Sequence, residues 1–133
     1  MGHLKYIFFY LLCGVLAGLA HVFSTLFLGQ NLLTPSLGAS GAISGVLAGY
    51  MLLFPKRKVH LWMFIFIISV PAFIVVGVWF IFQVLNGYGS LGGQEAAGVA
   101  YAAHIGGFIA GLLLIKRFAR LPVAPKRRSL FKL

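Results

Sequence analysis

Long stretches without a charged residue constrain this chain more than any other feature of its sequence. No Asp, Glu, Lys or Arg occurs in residues 6–55, 59–94 or 96–115. A helix needs about 20 apolar residues to cross the roughly 30 Å hydrocarbon core of a bilayer. Only 9% of the residues are charged, against about a quarter in a soluble domain, and 61% are hydrophobic, which excludes a disordered chain. The sequence therefore predicts a small membrane protein with several spans.

The apolar stretches divide into four segments that can each form a membrane-spanning helix. These segments are approximately residues 6–28, 38–54, 61–85 and 98–115. The second is short, because a helix of its length rises only about 25 Å, and we expect it to begin below the outer surface. We therefore predict an all-α membrane protein in which residues 1–117 form a four-helix bundle and residues 118–133 form a basic cytoplasmic tail.

All 11 Lys and Arg residues lie on one side of the membrane in a four-span topology. They precede the first helix, join the second to the third and follow the fourth, whereas Glu95 lies on the other side. Because cytoplasmic loops are enriched in Lys and Arg, we expect both termini to be cytoplasmic. Cations that separate apolar runs differ from the water-facing basic patches of nucleic-acid-binding proteins. We therefore expect no nucleic-acid partner, and we expect the tail to contact anionic headgroups of the lipid bilayer.

Small residues recur at every fourth position in the second and fourth predicted helices. They are Gly41, Gly45 and Gly49 in the second helix and Ala103, Gly107 and Gly111 in the fourth. Stripes of this kind let the backbones of two membrane helices approach closely. Ordinary helix packing is sufficient to explain them, so the stripes alone do not indicate a functional site.

Two polar residues beside these stripes indicate a chemical function. His104 lies within the fourth predicted helix, where an imidazole is costly and usually functional. Ser40 lies near the outer end of the second helix, and His104 lies about 9 Å below residue 98. Close packing of the stripes would therefore bring the two side chains to a similar depth. A serine and a histidine base are the minimum for nucleophilic acyl transfer, with Ser40 as the nucleophile and His104 as the general base.

The rest of the sequence supplies little further chemistry for such a site. The chain has no Asp, and Glu95 would lie about 13 Å from His104 along a helix, so we predict a dyad and not a triad. The helix N-terminus near Gly38 presents free N–H groups that can help to hold an oxyanion. An intramembrane aspartyl protease needs two Asp, and the His-Glu-x-x-His motif of zinc proteases is absent from the sequence. We therefore expect neither a metal nor a cofactor.

Two motifs, taken in this order, resemble those of the rhomboid intramembrane serine proteases. The first is GASGAISG at residues 38–45, and the second is AHIGG at residues 103–107, followed by Gly111. The resemblance extends over residues 2–117 approximately, and the stretch 71–83 is similar to bacterial members. It implies a rhomboid-like helix bundle in a multi-pass protein of the bacterial inner membrane.

The resemblance also implies roles for individual residues. Ser40 corresponds to the nucleophile and His104 to the base, and the substrates are single-span transmembrane proteins cleaved near or within the bilayer. Ser44 lies where relatives carry an aromatic ring that stacks on the histidine, and Trp79 belongs to the helix that resembles the lateral gate of the family. The positions that we assign to the oxyanion or to helix packing are Gly38, Gly41, Gly45, Gly107 and Gly111.

The largest departure from the family pattern is at the start of the chain. The family core has six helices, and this chain begins where the third would begin. The two preceding helices carry a membrane-embedded loop and a His/Asn pair that assists the oxyanion, and His21 does not replace that pair. We therefore expect a fragment or a natural truncation, with an upstream fragment or a second copy of the chain as a partner. Each missing oxyanion donor typically costs about 10²–10³ in rate.

Two other functions are compatible with the sequence. One is a non-catalytic rhomboid-like membrane protein that binds or routes membrane clients, which the missing helices favour and the intact Ser40 and His104 disfavour. The other is a small transporter or channel subunit in which His104 lies on a proton path. Covalent labelling of Ser40 distinguishes the protease from both alternatives.

Overall fold

The computed structural model describes residues 1–28, 39–63, 65–90 and 101–119. The elements are α1 (His3–Leu28), α2 (Ser40–Leu53), β1 (Lys58–Met63), β2 (Phe66–Pro71), α3 (Ala72–Ser90) and α4 (Tyr101–Phe118). Three of the four helices, α1, α3 and α4, are long and apolar enough to cross a membrane. The predicted membrane helix bundle is therefore confirmed.

The second helix is short, as the sequence predicts. It has 14 residues, which rise about 21 Å. It ends where the backbone N–H of Phe54 donates to the carbonyl of Tyr50 at 2.8 Å, directly before Pro55, which cannot continue a helix. The predicted first residue, Gly38, lies outside the described residues.

The third predicted span, residues 61–85, is wrong at its N-terminal end. The strands β1 and β2, residues 58–63 and 66–71, pair as an antiparallel hairpin, with Lys58 opposite Pro71 and Met63 opposite Phe66. This segment is rich in β-branched and aromatic residues, which favour strands, and its hydropathy alone does not distinguish an apolar strand from an apolar helix. Pro71 then sets the boundary, because proline is tolerated at a helix start but not inside a helix. The helix that follows, α3, has 19 residues and rises about 28 Å.

The fourth helix ends slightly later than the sequence predicts. It runs to Phe118 and has Lys116 and Arg117 in its last turn, where cations interact favourably with the helix dipole. Its predicted first residues, 98–100, lie outside the described part of the chain. The predicted tail, 118–133, also lies outside it apart from its first two residues and stays a prediction.

The fourth helix is the centre of the bundle and contacts each of the other three helices. Two clusters of buried side chains surround it: Phe9, Cys13, Ala110 and Ile115 form one, and Ala48, Val76 and Phe108 form the other. The ring of Phe9 packs on that of Phe118, with 5.7 Å between centroids, so α1 and α4 are antiparallel. The start of α1 and the end of α4, both of which carry cations, therefore lie at the same end of the bundle.

The small-residue stripes of α2 and α4 face each other at backbone contact. A Cβ atom on Gly45 would lie 2.9 Å from the carbonyl oxygen of Gly107. A Cβ on Gly107 would overlap the carbonyl of Gly41, and one on Gly111 would overlap the backbone of Gly45. The contacts advance in the same direction along both helices, so α2 and α4 are parallel and their N-termini lie side by side.

Candidate active site

Ser40 and His104 meet where the N-termini of α2 and α4 lie side by side. Ser40 is the first residue of α2, and His104 lies in the first turn of α4. The close approach of Gly41 to the backbone of Ala103 fixes the relative height of the two helices. The Nε2 atom of His104 lies 2.9 Å from the Oγ atom of Ser40. This distance is within the range in which an imidazole accepts the proton of a hydroxyl.

Gln83 of α3 contacts the other ring nitrogen of His104. Its Oε1 atom lies 2.8 Å from the Nδ1 atom of His104, and its side chain is only 7% exposed. A carbonyl oxygen can only accept a hydrogen bond, so in this arrangement Nδ1 carries the proton and Nε2 is free to accept one from Ser40. The tautomer that a general base requires is thereby favoured.

The sequence predicts a dyad without a third member and does not identify Gln83 as a site residue. The signal that could have found it is a polar side chain within an apolar membrane helix, since such residues face the protein interior and are usually functional. Its position one turn after Trp79 places both side chains on the same face of α3. The sequence does not show which face of α3 meets α4.

Trp79 supplies an aromatic surface beside the imidazole. Its ring centroid lies 5.9 Å from that of His104, and the two planes are inclined by 43°. Phe108 lies beneath it, at 6.5 Å from Trp79, and stacks on Phe80 with centroids 4.0 Å apart. An aromatic neighbour of the histidine is therefore present, but it comes from α3 and not from the position of Ser44.

Ser44 ties α2 to α4 one turn below the Ser40 hydroxyl. Its hydroxyl donates to the backbone carbonyl of His104 at 2.6 Å, and the side chain is completely buried. The bond crosses between helices, so it fixes the height of the imidazole relative to Ser40. A phenylalanine or tyrosine at this position would have to displace the residues packed around it.

We expect Ser44→Ala to lower the free energy of unfolding by about 1 kcal/mol, the net value of a typical buried hydrogen bond. The measurement is the thermal midpoint in detergent. Thr25→Val is the matched control, because the buried Thr25 hydroxyl donates to the carbonyl of His21 within α1 and its loss breaks no bond between helices. Equal midpoints for Ser44→Ala and the unmodified chain would contradict the proposed tie between α2 and α4.

The structure describes only part of the predicted oxyanion site. Gly38, which we assign to this site, lies outside the described residues, as does Glu95, the only carboxylate side chain of the sequence. Within them, the first hydrogen bond of α2 runs from the N–H of Ile43 to the carbonyl of Ala39 at 2.9 Å. The backbone N–H groups of Ser40 and Gly41 precede this bond, and the first N–H groups of a helix have no partner within the helix. They are the backbone donors nearest in sequence to the Ser40 hydroxyl, which makes them candidate oxyanion donors.

Comparison with known proteins places this chain in a family. The sequence matches the family model described as Rhomboid domain over residues 1–120. An 80-residue part, 59% of the chain, is 40% identical to "Rhomboid protein 1, mitochondrial" of Saccharomyces cerevisiae, and it covers 21% of that protein. The chain thus matches about a fifth of the length of this curated relative, and no solved structure matches it. With the family match over most of its length, the chain belongs to the rhomboid family.

Proposed function

We propose that the chain carries the active site of an intramembrane serine endopeptidase, in which Ser40 is the nucleophile and His104 is the general base. The observation that supports this most directly is the 2.9 Å distance between the Ser40 Oγ and the His104 Nε2 atoms. A hydroxyl, an imidazole and a supporting amide in line form an arrangement that activates a serine. Membership of the rhomboid family adds the expectation that the substrates are transmembrane proteins.

The reaction follows from the positions of these atoms. His104 Nε2 accepts the Ser40 proton while Oγ attacks the scissile carbonyl carbon, and the resulting oxyanion accepts hydrogen bonds from backbone N–H groups at the start of α2. The protonated imidazole then donates its proton to the leaving amine, and an ester on Ser40 remains. Water, deprotonated by His104, hydrolyses this ester and regenerates the hydroxyl.

In this mechanism Gln83 is a positioning residue. It contacts neither the substrate nor the reacting atoms, and acts by keeping the Nδ1 proton of His104 in place. The amide is neutral, so it stabilises the imidazolium less than a carboxylate would. This difference fits a chain without any Asp, where burying an additional charge within the membrane would be costly.

We expect Gln83→Leu to lower kcat by about 10- to 100-fold with little change in KM, since a partner that orients a functional imidazole typically contributes this much. Gln83→Glu keeps an acceptor oxygen at the same position and is expected to restore part of the rate. Asn86→Leu is the matched control on the same helix, because its amide donates to the carbonyl of Phe82 and not to the site. Equal losses in Gln83→Leu and Asn86→Leu would indicate a structural role only.

The proposed activity is tested with the full chain in lipid vesicles that also contain a single-span transmembrane protein. We expect peptide-bond cleavage near the bilayer surface, detected by mass spectrometry of both products, and no cleavage by the Ser40→Ala variant. Activity that appears only after an upstream segment with two further helices is added would assign further oxyanion donors to that segment. Absence of cleavage under both conditions would contradict the proposal.

The chain is an integral membrane protein of the rhomboid family, and we propose the bacterial inner membrane as its location. The similarity of residues 71–83 to bacterial members supports this location. The relative from yeast is named as mitochondrial, which describes that protein. The alternative function, a non-catalytic protein that binds or routes membrane clients, predicts a folded chain in which the Ser40 hydroxyl is unreactive.

A further inference from the structure

The β-hairpin of residues 58–71 exposes a large apolar tip. Trp62 is 83% exposed and Ile65 is 88% exposed, and the neighbouring Phe66 and Ile67 are both more than two-thirds exposed. Contiguous apolar surface of this kind marks a contact with a membrane or another protein. The proposed protease mechanism does not use it.

The opposite end of the hairpin is cationic and polar. Lys56, Arg57 and Lys58 lie at its base, and six paired residues at about 3.3 Å each put the tip roughly 20 Å away. Between base and tip, the Ser69 hydroxyl and the His60 Nδ1 atom are 2.8 Å apart. Charged and polar side chains therefore occur at the base and in the His60–Ser69 pair, and the described residues nearer the tip are apolar.

The base is attached to the start of α3. The N–H of Ala72 donates to the carbonyl of Arg57 at 2.8 Å, and the N–H of Phe73 donates to the carbonyl of Pro55 at 3.3 Å. The hairpin thus leaves the bundle between the C-terminus of α2 and the N-terminus of α3. This is the end of the bundle that also carries Lys116 and Arg117, and it is opposite Ser40. In the predicted topology it faces the cytoplasm.

Backbone chemistry excludes the hydrocarbon core as the position of this hairpin. Among the described residues β1 and β2 form a two-stranded sheet, so each strand has an outer edge whose backbone polar groups point away from the other strand. Unpaired edges are not tolerated in contact with hydrocarbon. The apolar tip, in turn, is unfavourable in bulk water. The headgroup region satisfies both requirements, since it offers water and polar groups to the edges and acyl chains to the tip.

We propose that the hairpin is an interfacial anchor whose tip enters the anionic cytoplasmic leaflet obliquely, with its polar base among the headgroups. Trp62 pairs with Ile67 and Phe66 pairs with Met63, so the side chains of Trp62 and Phe66 project from opposite faces of the tip. Both enter the boundary between headgroups and acyl chains, where aromatic residues are favoured. Lys56, Arg57 and Lys58 bind anionic lipid headgroups, as juxtamembrane cations do. The anchor fixes the height of the N-terminus of α3, the helix that carries Gln83. This inference concerns a lipid contact and does not depend on protease activity.

The test uses the fluorescence of Trp62 in the full chain reconstituted in vesicles. The sequence has two tryptophans, so Trp79→Phe leaves Trp62 as the only emitter, and Trp62→Phe gives the matched depth reference from Trp79. Lipids brominated at graded depths along the acyl chain serve as quenchers. We expect Trp62 to be quenched most by the shallowest bromines and to be shielded from acrylamide. Trp79 is expected to be quenched by deeper bromines.

The contribution of the cations at the base of the hairpin is tested by comparing vesicles of phosphatidylcholine alone with vesicles that also contain the anionic lipid phosphatidylglycerol. We expect anionic lipid to shield Trp62 further from acrylamide. The triple change Lys56→Gln, Arg57→Gln and Lys58→Gln should remove this effect, since each cation near an anionic surface contributes about fivefold to binding. The control change, Lys116→Gln with Arg117→Gln, is at the same end of the bundle and should leave the effect intact.

Three results would overturn the proposal. Emission from Trp62 that is fully accessible to acrylamide would place the hairpin in water. Strongest quenching by the deepest bromines would place it in the hydrocarbon core. Shielding from acrylamide without quenching by any brominated lipid would show that a protein surface, such as a second copy of the chain, covers the tip.

Discussion

Ser40→Ala is expected to abolish covalent labelling by a fluorophosphonate and to lower the cleavage rate by about 10⁴-fold or more, the typical loss when a member of a catalytic serine–histidine unit is removed. The labelled atom is the Ser40 Oγ, and His104 Nε2, 2.9 Å away, accepts its proton. His104→Ala should therefore have a similar effect, and the double variant should be no worse than either single one. The measurement is intact-protein mass spectrometry after labelling, together with the rate of cleavage.

The chain offers a matched control in a second serine–histidine pair. The Ser69 Oγ and His60 Nδ1 atoms are 2.8 Å apart, but this pair is exposed on the hairpin. Ser69 lies on β2, directly before α3, but the first two N–H groups of that helix already donate to the carbonyls of Arg57 and Pro55 and are not available to stabilise an oxyanion. We expect Ser69→Ala to leave labelling unchanged. Labelling that persists in Ser40→Ala and disappears in Ser69→Ala would refute the proposed assignment of the nucleophile.

The same variants separate the protease from the alternatives left open by the sequence. A folded chain that is not labelled at all is the result expected of a non-catalytic protein that binds or routes membrane clients. Proton flux that is lost in His104→Ala and kept in Ser40→Ala is the result expected of a transporter. Folding is checked in each case by the thermal midpoint, so that loss of structure is not mistaken for loss of chemistry.

Most of the helix bundle is predictable from the sequence because a segment that spans a lipid bilayer can adopt few backbone structures. Apolar segments of spanning length, divided at Gly, Pro and basic residues, indicate the four helices. The spacing of Gly45 and Gly107 with their neighbours identifies the surfaces that make contact. Once α2 and α4 are known to pack through these stripes, the proximity of Ser40 and His104 follows. The dyad geometry could therefore be anticipated before any coordinates.

The hairpin and Gln83 could not be predicted in the same way. An apolar run such as 61–71 satisfies a strand and a membrane helix equally well, and only the pairing of β1 with β2 decides between them. The role of Gln83 depends on how α3 is rotated against α4, a tertiary property that no local pattern encodes. Both features lie on the segment that leads into α3 or on α3 itself, the part of the bundle without a stripe of small residues.

Gly111→Val is expected to have the largest effect on folding, lowering the free energy of unfolding by about 3 kcal/mol or more, at the upper end for an overpacked core. A Cβ atom at this position would overlap the backbone of Gly45, and a backbone cannot move aside as a flexible side chain can. Gly107→Val should act similarly through the carbonyl of Gly41. The measurement is the thermal midpoint in detergent, with fluorophosphonate labelling as the readout of the site.

Replacement of a glycine that has no close neighbour by valine is the control for these variants. It measures the effect on stability of changing a helical glycine without steric overlap. A Cβ atom on Gly18 of α1 or Gly77 of α3 would have no neighbour within 4 Å among the described residues. We expect Gly18→Val and Gly77→Val to shift the midpoint little, because valine and glycine differ by only a few tenths of a kcal/mol in helix propensity.

Separating α2 from α4 moves Ser40 away from His104, so Gly107→Val and Gly111→Val should lose labelling as well as stability. If they kept the labelling rate of Gly18→Val, contact between the two stripes would not be what brings the hydroxyl to the imidazole.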